Sequence, residues 1–242
     1  MIKTIYIIIL IYFILGGVGF YFINRKKDAE TARNSYIKFI TYFFIINILF
    51  FSIVLAPTLF QLLLLFIITI SAFELFNLFK KGGFNKKKVF YTSFLIFLVL
   101  SVALFGFSRL SSEVILFSFL ILSIFDSFSQ ISGQLFGKTK IALSVSPNKT
   151  AEGVAGGAII AFISSFLLKG LYQGELINLV VITAGILLFA FAGDLAASYY
   201  KRVFGVKDFS SAIPGHGGFL DRFDSLIAGG AWVGFSIYLL GL

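Results

Sequence analysis

Eight apolar runs divide this chain, at about residues 4–23, 37–55, 58–79, 89–107, 111–128, 154–169, 176–196 and 225–241. Each is close to the roughly 20 residues an α-helix needs to cross a bilayer core. The pattern predicts an all-α fold: a polytopic integral membrane protein with about eight transmembrane helices. Composition points the same way. Of 242 residues, 59% are hydrophobic and only 13% charged, and the mean hydropathy is +1.00. A soluble domain of this length could not bury so much apolar surface. The run at 4–23 is long for a signal-peptide core and has no small-x-small site before the basic cluster, so it reads as the first span. Pro57 marks a tight turn between the second and third spans, and Asp126 interrupts the fifth near one end.

Charge sets the orientation. With the N-terminus outside, the inner segments carry Arg25, Lys26, Lys27, Arg33 and Lys38; then Lys80, Lys81, Lys86, Lys87 and Lys88; then Lys138, Lys140 and Lys149; then Lys201, Arg202, Lys207 and Arg222. Of the 20 basic residues only Lys3, Arg109 and Lys169 fall outside. This asymmetry predicts both termini external and the motif loops cytoplasmic, in a cell membrane of the bacterial inner or plasma type. The net charge of +9 is then a matter of orientation, and nucleic acid is not an expected partner. The absence of cysteine excludes disulfide and thiol chemistry.

No loop exceeds about 30 residues and no internal repeat is visible, so the chain reads as a single integrated membrane domain. Residues 1–110 form N-terminal transmembrane helices, and residues 111–242 form a C-terminal region that carries the polar motifs. In the first half, Glu74 reads as an interfacial acid snorkelling toward Lys80 and Lys81.

The first motif region runs from Asp126 to Gly157. Ser146, Pro147, Asn148, Lys149 and Thr150 form a turn-like run, and Gly153, Gly156 and Gly157 open the next span. A Lys-Thr pair at a helix N-terminus suits phosphate, because exposed amides, the positive dipole end and an ammonium converge. The spacing is not that of a P-loop. Gly156 and Gly157 read first as close helix packing. Asp126 has two readings, a satisfied interior polar residue or the start of the functional region.

The second region, Gly193 to Asp224, is more specific. Asp194, Ser198 and Lys201 share one helix face, and a carboxylate followed by a hydroxyl and an ammonium offers a metal-plus-phosphate surface. Mg²⁺ takes carboxylate oxygens together with the substrate's own phosphates. Lys201, Arg202, Lys207 and Arg222 supply charge to neutralise a triphosphate. Pro214, Gly215, His216, Gly217 and Gly218 form a turn with little side-chain bulk, so a ligand can approach the backbone. Asp221 and Asp224 follow, three residues apart and on one helix side. A plain solvated basic loop would not explain the sole histidine, His216, set among glycines and acids.

Residues Ser198 to Asp224 resemble the signature of the CDP-diacylglycerol synthases, also called phosphatidate cytidylyltransferases: S-x2-KR-x4-KD, then PGHGG, then DR-x-D. Upstream, SPNKTAEGVAGG resembles the family's second block, and Asp126 to Lys138 the block before it. The blocks cover most of residues 126–224; the N-terminal half matches in hydropathy only. Tyr200 stands where the signature has an aliphatic residue, a change of packing. Ala151, Ala197 and the Ser129-Gln130 pair also depart from it, and these imply an altered lipid preference.

The resemblance implies transfer of a cytidylyl group from CTP to phosphatidate with Mg²⁺, and a second cation is compatible with it. It implies catalytic roles for Asp194, Lys201, Asp221 and Asp224, with metal at Asp194, Asp221 and Asp224. Substrate contacts fall to Ser146, Lys149, Thr150, Ser198, Arg202, Lys207, His216 and Arg222. Lipid would enter from the bilayer and CTP from the cytoplasm, and the family suggests a homodimer. The rivals are a CTP-dependent enzyme acting on another lipid phosphate or lipid alcohol, a transporter, and a silent membrane scaffold. A transporter would place its polar residues nearer midspan, within an inverted repeat. A CDP-alcohol phosphotransferase would need an Asp-Gly-x2-Ala-Arg run, which is missing.

Overall fold

Helix after helix follows the apolar runs. The computed structural model describes residues 2–25 and 28–242, apart from the side chains of residues 12, 15, 16, 19, 20 and 23. Lys26 and Lys27, counted above among the inner basic residues, lie outside the described residues. The elements are α1 (Ile2–Asn24), α2 (Ala29–Leu55), α3 (Pro57–Lys81), α4 (Lys87–Phe107), α5 (Ser112–Phe136), α6 (Ala151–Leu167), α7 (Leu176–Val203) and α8 (Phe219–Leu240), with a short 3-10 turn at Lys169–Leu171. Among the described residues there is no strand, only isolated bridges. Six helices, α2 to α5, α7 and α8, are long and apolar enough to cross a membrane, and the chain is an all-α, multi-pass membrane protein. α6 has 17 residues, and the apolar stretch found in α1 is Ile2–Ile11. The count of eight crossings therefore rests on the charge pattern rather than on helix length.

The helix ends follow local chemistry. Pro57 occupies the first turn of α3 after an extended Ala56, where its missing N–H leaves nothing unsatisfied. The Asp28 carboxylate caps α2 by accepting from the Thr31 amide at 2.8 Å. The helices also run further than the apolar windows. α5 continues to Phe136, α7 continues to Val203, and α8 begins at Phe219. Hydropathy falls at the first charges, but the backbone stays helical where those charges find partners or suit the dipole. Lys201 and Arg202 lie in the last turn of α7, where cations are favoured.

α8 is the centre of the bundle. It packs against α7, α4, α3 and α5. A side chain at Gly234 would strike the Ala103 backbone of α4, one at Gly230 would reach Leu104 at 2.6 Å, and one at Gly193 would reach Ala228 at 2.6 Å. Small residues allow this approach, and in a membrane close packing replaces the hydrophobic effect as the force between helices.

Alternate helix ends then meet. At one end, Gly82 lies against Phe204, Lys38 against Gly215, and Thr150 against Gly133 and Gly137. At the other end, Gln61 donates to the Ser108 carbonyl at 3.4 Å and Phe117 lies 5.8 Å from Tyr172. Both motif regions and the basic loops after α3, α5 and α7 thus gather at one end.

Candidate active site

The first motif region is held by local capping. Thr150 is the N-cap of α6, its hydroxyl accepting from the Gly153 amide at 3.1 Å, and it is buried. That hydroxyl serves the helix start rather than facing outward. Glu152, in the first turn, accepts from the Lys138 amide at 3.0 Å and the Thr139 amide at 3.1 Å, which draws the Gly137–Lys149 loop back over α6. Ser146 sits in a turn of this loop, its amide donating to the Ala142 carbonyl at 2.7 Å.

The glycines of α6 set its distance from α5. A Cβ at Gly156 would collide with the Ser132 hydroxyl. One at Gly157 would collide with Ser129 and lie 2.8 Å from the Phe125 carbonyl. The packing reading of this pair holds, and Ser129 is the small residue that faces it. Gly157→Val should therefore push α6 off α5 and lower the detergent-solubilised melting point, since overpacking a tight contact costs about 1–3 kcal/mol. A Gly157→Val protein melting with the wild type would show that the crossing is looser than described.

This crossing delivers Lys149 to α7. Its ammonium pairs with the Asp194 carboxylate and lies 4.7 Å from the Phe191 ring centroid. Ser198, one turn on, donates to the other Asp194 oxygen at 3.3 Å. Lys201, on the same face as expected, reaches the Asp221 carboxylate of α8 at 2.6 Å. Arg202 points elsewhere: Nε donates to the Val145 carbonyl and Nη1 to the Val206 carbonyl, both at 3.1 Å. It fastens the first motif loop to the end of α7. Lys207 is exposed on the following loop.

The second motif loop closes on itself. Gly215 and Gly217 adopt φ of 76° and 82°, the left-handed region glycine enters without strain. The Ile213 amide donates to the Gly217 carbonyl at 2.7 Å. Asp221 ties the two arms together, one oxygen accepting from the Phe209 amide at 2.7 Å and from the Gly218 amide at 2.8 Å. With Lys201 on its other oxygen, Asp221 is fully engaged. Burial, followed by the Arg222 charge, holds His216 below the ordinary histidine value, so its imidazole is neutral at neutral pH. Its Nδ1 lies 3.4 Å from the Pro214 carbonyl.

Arg222 and Asp224 face inward from α8. Asp126, Asp194 and Asp224 stand near enough to repel one another, with Lys149, Lys201 and Arg222 as the nearby cations. Asp126 belongs to this cluster of charges. It lines a cavity with Tyr42, Ser123 and Arg222. Arg222 lies 4.5 Å over the Tyr42 ring, and its buried Nε has no hydrogen-bond partner among the described residues. Tyr42 also stacks on His216, centroids 6.5 Å apart. Among the described residues no group of three or more His, Asp or Glu side chains is placed to hold a metal ion unaided.

Two contributions come from the half that looked plain. Tyr42 has no sequence signal of its own, since it is one aromatic among many. Glu74 is not a snorkelling interfacial acid. It is buried and accepts from the Ser210 hydroxyl and from the amides of Phe219 and Leu220. Its intramembrane position was the signal; its partners lie more than 130 positions away, where no local pattern points.

Comparison with known proteins adds a separate line. The sequence profile of the cytidylyltransferase family matches residues 2–240. A protein of Rickettsia typhi named phosphatidate cytidylyltransferase is 31% identical over 229 residues, covering 89% of this chain and 98% of the relative. Proteins of the same name from Staphylococcus saprophyticus and Haemophilus influenzae are 44% and 40% identical over 115 and 121 residues. Those two alignments take in 47% and 48% of this chain and span less than half of the relatives' own lengths, 44% and 42%.

Proposed function

The chain belongs to the cytidylyltransferase family, and from that premise we propose that it is a phosphatidate cytidylyltransferase. It converts CTP and phosphatidate to CDP-diacylglycerol and pyrophosphate in phospholipid biosynthesis. The observation that carries this reading is the meeting, at one end of the bundle, of the Lys149–Asp194 and Lys201–Asp221 pairs with Asp126, Arg222 and Asp224. All of those groups but Asp194 come from the three sequence blocks that resemble the family's signature.

A phosphate oxygen of phosphatidate attacks the α-phosphorus of CTP. The new P–O bond forms as the bridging α–β P–O bond breaks, and pyrophosphate leaves with the electron pair. Phosphatidate is already anionic at neutral pH, so the site needs no strong general base. The protein has to align two polyanions and offset their charge. Lys149 and Lys201 bind CTP phosphates, and the unpartnered Nε of Arg222 suits a phosphate oxygen. Neutral His216 supports the loop through Tyr42.

The donor set fits Mg²⁺. A magnesium ion arriving on nucleotide phosphates needs only one or two protein carboxylates, and Asp194 and Asp224, set near one another, would supply them. Asp221 serves by fixing Lys201 and the loop. Once bound, Mg²⁺ offsets charge on the triphosphate and the leaving pyrophosphate.

An acceptor panel tests this reading. With CTP and Mg²⁺, phosphatidate should support turnover and diacylglycerol should not. The reverse preference would make the protein a CTP-dependent lipid kinase.

The reaction also requires motif loops on the side where CTP is, and a bacterial-type plasma membrane crossed eight times with both termini outside would put them there. Single cysteines replacing Asn85, Ser144 and Ser211 in this cysteine-free chain should react with a membrane-impermeant thiol reagent only after the membrane is opened. Labelling at Ser144→Cys or Ser211→Cys in intact cells would place the motif loops on the wrong side, and the CTP reading would fail with the orientation.

A further inference from the structure

We infer that Glu74 is a positioning residue for this site: its carboxylate holds Ser210 and the first turn of α8 in the arrangement that presents Asp221, Arg222 and Asp224 to the substrates. The inference deepens the cytidylyltransferase reading and rests on it for the identity of the substrates.

The first amides of any helix lack intrahelical acceptors. At α8 they are satisfied by two carboxylates from different elements. Asp221 takes the Gly218 amide. Glu74, from α3, takes the Phe219 amide on Oε1 at 3.0 Å and the Leu220 amide on Oε2 at 2.8 Å. The same Oε1 accepts from the Ser210 hydroxyl at 2.6 Å, and the Ser210 oxygen accepts from the Ala212 amide at 3.2 Å. Each carboxylate therefore bridges the two arms of the Gly-rich loop. Asp221 joins Phe209 to Gly218, and Glu74 joins Ser210 to Phe219 and Leu220. A Cβ on Gly218 would collide with the Glu74 carboxylate, so the glycine before α8 is shaped around it.

The post that carries Glu74 is itself braced. The buried Tyr200 hydroxyl of α7 donates to the Leu75 carbonyl at 2.8 Å, and Phe204 lies within 2.9 Å of where a Gly82 Cβ would stand. The end of α3 is thus fixed to α7, which bears Asp194 and Lys201, and to α8, which bears Asp221, Arg222 and Asp224. Without Glu74, Asp221 would be left as the one carboxylate joining the two arms of the loop, while also neutralising Lys201.

Glu74→Ala, Glu74→Gln and Ser210→Ala, each in lipid vesicles, test this. Turnover is followed with CTP and phosphatidate, and backbone hydrogen exchange is read across residues 204–224. Glu74→Ala should lower kcat about 100-fold, the scale of an approximately 1 Å misplacement of reacting groups, with KM for either substrate changing much less. Exchange should quicken at residues 209–221 and stay unchanged in α4 and α5. Glu74→Gln keeps the side-chain length and one acceptor oxygen and should recover part of both losses. Ser210→Ala should give a smaller loss confined to the same segment, and decides the matter if Glu74→Ala does not fold. Unchanged kcat in Glu74→Ala, or reduced kcat with unchanged loop exchange, would overturn the inference. For Ser210→Ala, loop exchange identical to wild type would do the same. If the wild type makes no CDP-diacylglycerol while Glu74→Ala still loosens the loop, the substrate reading fails and the clamp stands.

Discussion

Asp194→Asn and Asp221→Asn are each expected to abolish turnover in protein that still inserts and purifies. Asp194 holds the Lys149 ammonium and a share of the proposed metal. Asp221 holds the Lys201 ammonium and two loop amides. An asparagine at either place keeps the shape but loses the charge, and its NH₂ confronts donors. Removing such a group from a charge-stabilised transition state should cost at least ~3 kcal/mol, or roughly two decades of rate. The check is the initial rate of CDP-diacylglycerol formation at saturating Mg²⁺. Near-normal rates in either variant would contradict the assignment of these carboxylates.

The two lysines should separate by burial. The side chains of Lys201 and Asp221 are 10% and 5% exposed, whereas those of Lys149 and Asp194 are 21% and 33% exposed. Breaking a buried pair by removing one partner costs about 3–5 kcal/mol, while a partly exposed pair such as Lys149–Asp194, screened in part by solvent, costs less to break. Lys201→Ala should therefore lower both the melting point and the activity. Lys149→Ala should keep most of the stability and raise the CTP requirement more than the lipid requirement. Thermal unfolding in detergent and initial-rate titrations of each substrate measure both. A change confined to the lipid requirement in Lys149→Ala would move that lysine to the lipid headgroup, and an unshifted melting point in Lys201→Ala would show that its pair is not buried.

The membrane fold is legible because apolar length and basic asymmetry are one-dimensional signals. The helix ends are less so. The apolar runs stop at residues 128 and 196 and resume at 225, yet α5 and α7 continue to Phe136 and Val203 and α8 begins at Phe219, because the bundle supplies partners for the polar groups there. The shared face of Asp194, Ser198 and Lys201 could be read from spacing alone. The exchange of partners across elements, Lys149 to α7 and Lys201 to α8, could not, because it depends on how the helices cross. Tyr200 shows the same limit. As a departure from an aliphatic position it suggests only a packing change, but its hydroxyl reaches α3. Thr150 and Arg202 carry the residue types a phosphate site wants, yet one caps a helix and the other ties down a loop.

The central claim is that this chain transfers a cytidylyl group, and the fate of the CTP phosphates tests it most directly. Purified protein in phosphatidate vesicles with Mg²⁺ is given CTP labelled at the α- or the γ-phosphorus. The account predicts that α-label enters the lipid as CDP-diacylglycerol while γ-label leaves as pyrophosphate. γ-Label in the lipid, or no label from either position, would contradict it.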